Sequence, residues 1–187
     1  MISSKSSLIF FGLEWNLVVV LKNILVPVLL LVLFSLPSEA RRNKKINVKG
    51  PFKKQLNLVL KDASSLHLAC VSKNRVKISS SMRKLIKSLT RAIKTSQASR
   101  AHRTHLYKML VSAKTKIELS QWQKGVKRQD SLKRAFHQIV EIDRVYKLDK
   151  YKVFFCAKDR SIWLQKSWKP RNPIHPVKFE KCGRLVR

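Results

Sequence analysis

Cys156, His175 and Cys182, all near the C-terminus, are the side chains of this 187-residue chain best suited to chemistry. Two thiolates and an imidazole suit soft or borderline metals, so copper or zinc is one reading of the set. The close double-cysteine spacing of a zinc site is absent. In an oxidising compartment the same two sulfurs would instead form a disulfide. Either link would fasten a tail carrying Pro170, Pro173 and Pro176 to the aromatic run Tyr151–Cys156. Lys158 and Arg160 lie near Cys156 and would favour its thiolate if it were free; the plainer reading is two solvated loop charges. Cys70, in the apolar context Leu66-His67-Leu68-Ala69-Cys70, reads as a buried small hydrophobe.

The other histidines, His67, His102, His105 and His137, are scattered. His102 and His105 stand three apart and could share a metal on a helix face, but their Lys/Arg-rich surroundings suit a surface pair. No pair of carboxylates stands out for acid–base work, and no serine sits in a nucleophile elbow. The chemistry expected is therefore binding rather than turnover.

Charge points the same way. Lys and Arg number 41 against 10 Asp and Glu, a formal net charge of +31. Residues 1–40 contribute nothing, because Lys5 and Lys22 cancel Glu14 and Glu39. The whole excess sits on the rest of the chain, where it repels itself and attracts polyanions. Anionic lipid, acidic polysaccharide and nucleic acid all qualify as partners. Lys84, Lys87, Arg91 and Lys94 fall along one side of a helical pattern, and Arg100, Arg103, Lys108, Lys114 and Lys116 continue on the next. Such stripes hold phosphates without sequence preference. Trp122, Trp163 and Trp168 could stack on bases, sit at a lipid interface or fill the seam between hairpin and bundle.

The apolar run Ile24–Leu36 follows Lys22 and is followed by Ser38-Glu39-Ala40, with small residues at −3 and −1 of a cut after Ala40. This is signal-peptide layout, and it predicts a periplasmic or secreted protein with residues 1–40 removed. A start at Leu21, read from a non-AUG codon, would leave a signal of ordinary length; sequencing the precursor distinguishes the two starts. The alternative is a single uncleaved membrane anchor, with Arg41, Arg42, Lys44 and Lys45 on the cytoplasmic side.

A basic lead-in over 41–51 ends at Gly50-Pro51. Residues 52–187 then read as one helical domain. Phe52, Leu56, Val59, Ala63 and Leu66 mark a first helix by their steps of three and four. Met82, Leu85, Ile86, Leu89 and Ile93 mark a second, with Ser79, Ser80 or Ser81 as its cap. Leu106, Met109, Leu110, Ala113 and Ile117 mark a third, its apolar surface extended by Trp122 and Val126. Leu132, Phe136, Ile139 and Val140 mark a fourth, capped by Asp130 or Ser131. Residues 151–187 change character. Tyr151–Cys156 and Ile162–Gln165 predict a β-hairpin with a five-residue loop, followed by an extended, irregular tail. The fold class expected is mainly α: an antiparallel four-helix bundle with a C-terminal β-hairpin and a cysteine-fastened tail.

Cys156, Trp163-Leu164-Gln165, Asn172-Pro173 and Cys182-Gly183, in this order, with Arg134-Ala135-Phe136 upstream, carry a resemblance over residues 128–187. They resemble a bacterial domain-of-unknown-function family, found as stand-alone secreted proteins and fused to periplasmic adaptor subunits of copper and silver efflux pumps. That family's pattern runs approximately Cys-Pro-Met, Trp-Leu-Ser/Gln, Asn-Pro-Tyr-x-Gly, Met-x-x-Cys-Gly. Here Ala157-Lys158 replace Pro-Met, Ile174-His175-Pro176 follow Asn172-Pro173, and Phe179 replaces the second Met. Both thioether positions that would suit Cu(I) are absent. The resemblance implies an exported accessory domain of the envelope, with a heavy-metal efflux component as its partner. It marks Trp163, Gln165, Asn172, Pro173 and Gly183 as motif residues.

Overall fold

The computed structural model describes residues 45–98 and 103–186, all within one unit bounded by Asn43 and Arg187. The expected signal segment and Arg100 lie outside the described residues. Among those described, the elements are α1 (Gly50–Val71), α2 (Arg75–Ala98), α3 (Arg103–Trp122), α4 (Gly125–Val145), β1 (Lys152–Cys156), β2 (Ser161–Gln165) and β3 (Arg184–Leu185). The protein is mainly helical, with a small C-terminal sheet, and consecutive helices pack on one another as in a bundle. No helix among the described residues is long and apolar enough to cross a membrane.

The helix faces follow the three-and-four spacing. Leu56, Val59, Leu60, Ala63 and Leu66 of α1 meet Met82, Leu85, Leu89 and Ala92 of α2 in one core with Leu106, Leu110, Ala113 and Ile117 of α3. Phe136, Ile139 and Val140 of α4 complete it. Serines buried in this core, Ser88, Ser96 and Ser120, donate their hydroxyls to carbonyls three residues back, at 3.0, 2.7 and 2.7 Å. A buried hydroxyl satisfied in this way avoids the cost of an unpaired polar group.

Several helix boundaries depart from expectation. Asn74, not the serine run, caps α2: its Oδ1 accepts the Lys77 N–H at 2.9 Å. Ser79–Ser81 lie inside the helix because the apolar face reaches back to Ile78, whose burial outweighs a weak propensity. α4 begins at Gly125, not at Asp130 or Ser131. Only Gln123 and Lys124 separate α3 from α4, and Gly125 takes a φ of 55°, which glycine adopts without steric cost. Ser131 instead donates to Gln123 Oε1 at 2.6 Å, bracing that reversal, and Asp130 pairs with Arg134 at 3.0 Å. Trp122 and Val126 flank the reversal and are 85% and 78% exposed, so neither extends the apolar face.

The hairpin has a four-residue turn over 157–160, one shorter than expected. Asp159 Oδ1 accepts the Ser161 N–H at 3.0 Å and its hydroxyl at 2.7 Å, an Asx-type turn that draws Ser161 into register opposite Cys156. β3, not foreseen from the sequence, pairs antiparallel with β1, giving the order β2-β1-β3. The tail turns repeatedly through residues 173–181 rather than staying extended. The described part of the lead-in is also fixed. Ile46 bridges Tyr146 in parallel, and Val48 is buried. β2 packs on both α4 and α1. Asn57 on α1 grips the chain ahead of β1 by two bonds, Nδ2 to Asp149 Oδ1 at 2.8 Å and Asp149 N–H to its Oδ1 at 3.1 Å.

Candidate functional site

Cys156 and Cys182 form a disulfide, with their Cα atoms 5.3 Å apart. Bonded to each other, the two sulfurs offer no thiolate to a metal. His175 is engaged elsewhere: its Nε2 stands 3.8 Å from Asp159 Oδ2, and its ring meets Phe179 edge-on at 5.4 Å between centroids. Among the described residues no three His, Cys, Asp or Glu side chains gather as a metal site would require. Cys70 is the remaining cysteine. Burial pushes its thiol up to about 12, so it packs as the small hydrophobe expected and forms no thiolate at neutral pH.

The motif residues meet around the disulfide. Strand alternation puts Phe154 and its cross-strand partner Trp163 on one sheet face, their rings stacked at 6.1 Å between centroids. Trp163 is fully buried, with the tail packed against it at Gly183. Gly183 lies so close that an added Cβ would stand 2.8 Å from Pro170 Cβ and 2.9 Å from Trp163 Cη2. Any larger residue there would displace the indole or Pro170.

Gln165 bonds the strand to the returning chain. Its Oε1 accepts the Trp163 indole N–H at 2.8 Å and the Arg171 N–H at 3.2 Å. Its Nε2 donates to the carbonyls of Ser167 and Lys169 at 3.0 and 2.6 Å. Asn172, fully buried, does the same for the turn. Nδ2 donates to Asp159 Oδ2 at 3.0 Å, and Oδ1 accepts the N–H groups of Ile174 and His175 at 2.8 and 3.2 Å. Pro173 is buried between them. Burial alone would raise the Asp159 carboxyl. The hydrogen bonds from the Ser161 hydroxyl, the Asn172 amide and the Ser161 N–H, with His175 nearby, outweigh it and hold the carboxyl below its ordinary value. The motif is thus a lock that closes the tail over Trp163. Asp159 and Ser161 belong to it and went unmarked in the sequence; the Asp-x-Ser turn spacing was the available signal.

His67 docks the lock onto the bundle. It is 1% exposed on α1, and its Nε2 lies 2.7 Å from the Arg171 carbonyl. A carbonyl only accepts, so Nε2 carries the proton and Nδ1, which has no partner, is bare. Protonating Nδ1 would bury a charge. Desolvation therefore dominates and, with the nearby Arg171 charge, lowers the pKa to about 4 against the opposing Arg171 hydrogen bond. The unfolded chain binds this proton below about pH 6.5, and the folded chain only near 4. The stability His67 contributes is thus complete above 6.5 and is lost as pH falls toward 4, by on the order of 3 kcal/mol. Urea unfolding at pH 7 and pH 4 should show this loss, and His67→Gln should flatten it. A parent whose stability holds steady across that window would contradict the assignment.

The expected α2 stripe is present. Lys84, Lys87, Arg91 and Lys94 are exposed, and their side chains make no ion pair. Arg103 begins α3. Lys114, Arg134, Arg144 and Arg171 each pair with a carboxylate. Of the three tryptophans singled out from the sequence, Trp163 is fully buried against the hairpin and tail. Trp122 and Trp168 are exposed, Trp168 beneath the Lys152 ammonium at 4.1 Å. Sequence reading also missed a recess of about 370 Å³ where α3, α4 and the hairpin turn meet, lined by Lys116, Lys133, Arg134, His137 and Arg160. Comparison with protein-family models, with characterised proteins and with solved structures finds no match to this chain.

Proposed function

We propose that this protein is an exported, non-enzymatic binding protein that holds polyanions through its basic helical faces. The observation that carries this reading is the unpaired stripe Lys84, Lys87, Arg91 and Lys94 on a chain whose net charge is +31. Exposed cations without carboxylate partners attract a polyanion and gain by releasing its counterions. The disulfide supports an oxidising compartment. That fits the periplasmic or secreted address expected from residues 1–40.

Binding to duplex DNA serves as the calibrated test. Affinity should fall steeply as salt rises. Changing all four stripe residues to Gln should reduce the log–log salt slope by about three to four, near 0.9 for each phosphate that is no longer neutralised. Binding that ignores salt, or an unchanged slope in the variant, would reject the reading.

One observation favours a second reading, an accessory role beside an envelope efflux component. The residues that carry the family resemblance converge on a single structural unit. A copper or zinc role within it needs thiolates that the disulfide removes. Thiol counting and metal analysis of protein from its native compartment test this. Stoichiometric metal lost on Cys156→Ser supports it; one free thiol and no metal dismisses it.

A further inference from the structure

Three elements that are remote in sequence each bring cations to one recess. α3 supplies Lys116, α4 supplies Lys133 and Arg134, and the hairpin turn supplies Arg160. No carboxylate lines it, and Asp130 already holds Arg134 from outside. Lys116 and Lys133 are half-buried, and neither they nor Arg160 makes a hydrogen bond or ion pair through its side chain. Arg134 and Arg160 are exposed at its rim. Like charges gathered around one recess repel one another, and an anion between them would relieve this.

A separate observation concerns the backbone. Arg160 takes a φ of 57° in the tight hairpin turn. Glycine or asparagine suits that conformation, and an arginine is strained in it. Lys73 takes a similar φ of 55° in the turn between α1 and α2, so the conformation alone is not functional; at Arg160 it sets the side chain on the recess.

From these observations we infer that the recess is a discrete site for a phosphoryl group. Arg134 and Arg160 offer planar forks that match phosphate oxygens, Lys116 and Lys133 offer point charges, and the Ser112 hydroxyl offers a neutral donor. Ile162 forms one wall and is shared with a neighbouring recess of about 330 Å³, whose walls include Phe155 and Val186. Arg144 and Arg184 also line that second recess. The inference rests on the polyanion reading and narrows it from a charged surface to one stoichiometric site.

Calorimetric titration of the purified protein tests it, with inorganic phosphate and separately with dihexanoyl phosphatidate, at constant ionic strength. One equivalent of phosphate should bind saturably. Arg160→Gly and Lys133→Ala should each weaken it about ten-fold, the loss of one charge-assisted hydrogen bond. Arg160→Gly should melt no lower than the parent, because glycine relaxes the turn. Phosphatidate binding ten-fold tighter or more would assign the phosphoryl group to a lipid head; equal affinity would assign it to free phosphate. Unsaturable binding, or binding unchanged in Arg160→Gly, would overturn the site. Steep salt-dependent DNA binding that persists in both variants would then leave the broader reading standing. Stoichiometric phosphate binding without DNA binding would reject that reading and keep the recess.

Discussion

Trp163→Ala should lower the unfolding free energy by about 4 kcal/mol, as expected when a large aromatic is removed from a closed core. The indole is fully buried and packs against Phe154 and Gly183. Removing it leaves a cavity beneath the tail. It also takes the indole N–H from Gln165 Oε1, which keeps only the Arg171 N–H at 3.2 Å. Trp163→Phe separates the two contributions. It keeps ring area against Phe154 and loses the hydrogen bond, so it should cost about 2 kcal/mol. Equilibrium urea unfolding at pH 7 measures both. A cost for alanine below about 1 kcal/mol would mean that the tail does not depend on this ring.

Reducing the disulfide should have nearly as large an effect. Cys156 and Cys182 are separated by 26 positions. Opening a loop of that length restores chain entropy to the unfolded state worth about 3.5 kcal/mol in the loop-closure model. For a domain of this size the midpoint of thermal unfolding should drop by roughly 10 °C. The drop should appear on adding reductant to the parent and be absent on adding it to Cys156→Ser/Cys182→Ser, which starts lower. Released at Cys182, the chain should also lose β3 and the bond just beyond it, from the Val186 N–H to the Val153 carbonyl at 2.9 Å. Hydrogen exchange at Val186 reports that loss. A midpoint insensitive to reductant would mean that other interactions hold the tail.

What could be read from the sequence was local. Met82, Leu85 and Leu89 share a face because 3.6 residues make a turn, and no distant neighbour is needed to see it. The basic stripe on α2 is legible for the same reason. Helix starts were misplaced: Asn74 caps α2 ahead of Ser79–Ser81, and α4 starts at Gly125, ahead of Asp130, with no side-chain cap. The hairpin loop was one residue too long because the Asp159–Ser161 turn extends the ladder. β3 has two residues and finds its register only against Phe154 and Phe155, far back in the chain. The bridge from Ile46 to Tyr146 spans most of the domain. The cysteine pair was legible from its place in the tail, whereas the packing of Gly183 on Trp163 depends on how that tail folds back. The basic recess could not be seen, because its cations come from three elements and meet only when the hairpin packs on the bundle.

Sulfurs, indole and buried amides hold the tail, and we propose that a separate set of groups, the exposed lysines and arginines, meets a polyanion. The measurement that tests this division most directly is binding to vesicles of equal parts phosphatidylglycerol and phosphatidylcholine. It compares the parent with Cys156→Ala/Cys182→Ala at a temperature where both are folded. The account predicts equal affinity and the same steep weakening with salt, despite the lower melting point of the variant. Binding that vanishes with the disulfide while the fold persists, or that is indifferent to salt in the parent, would contradict it.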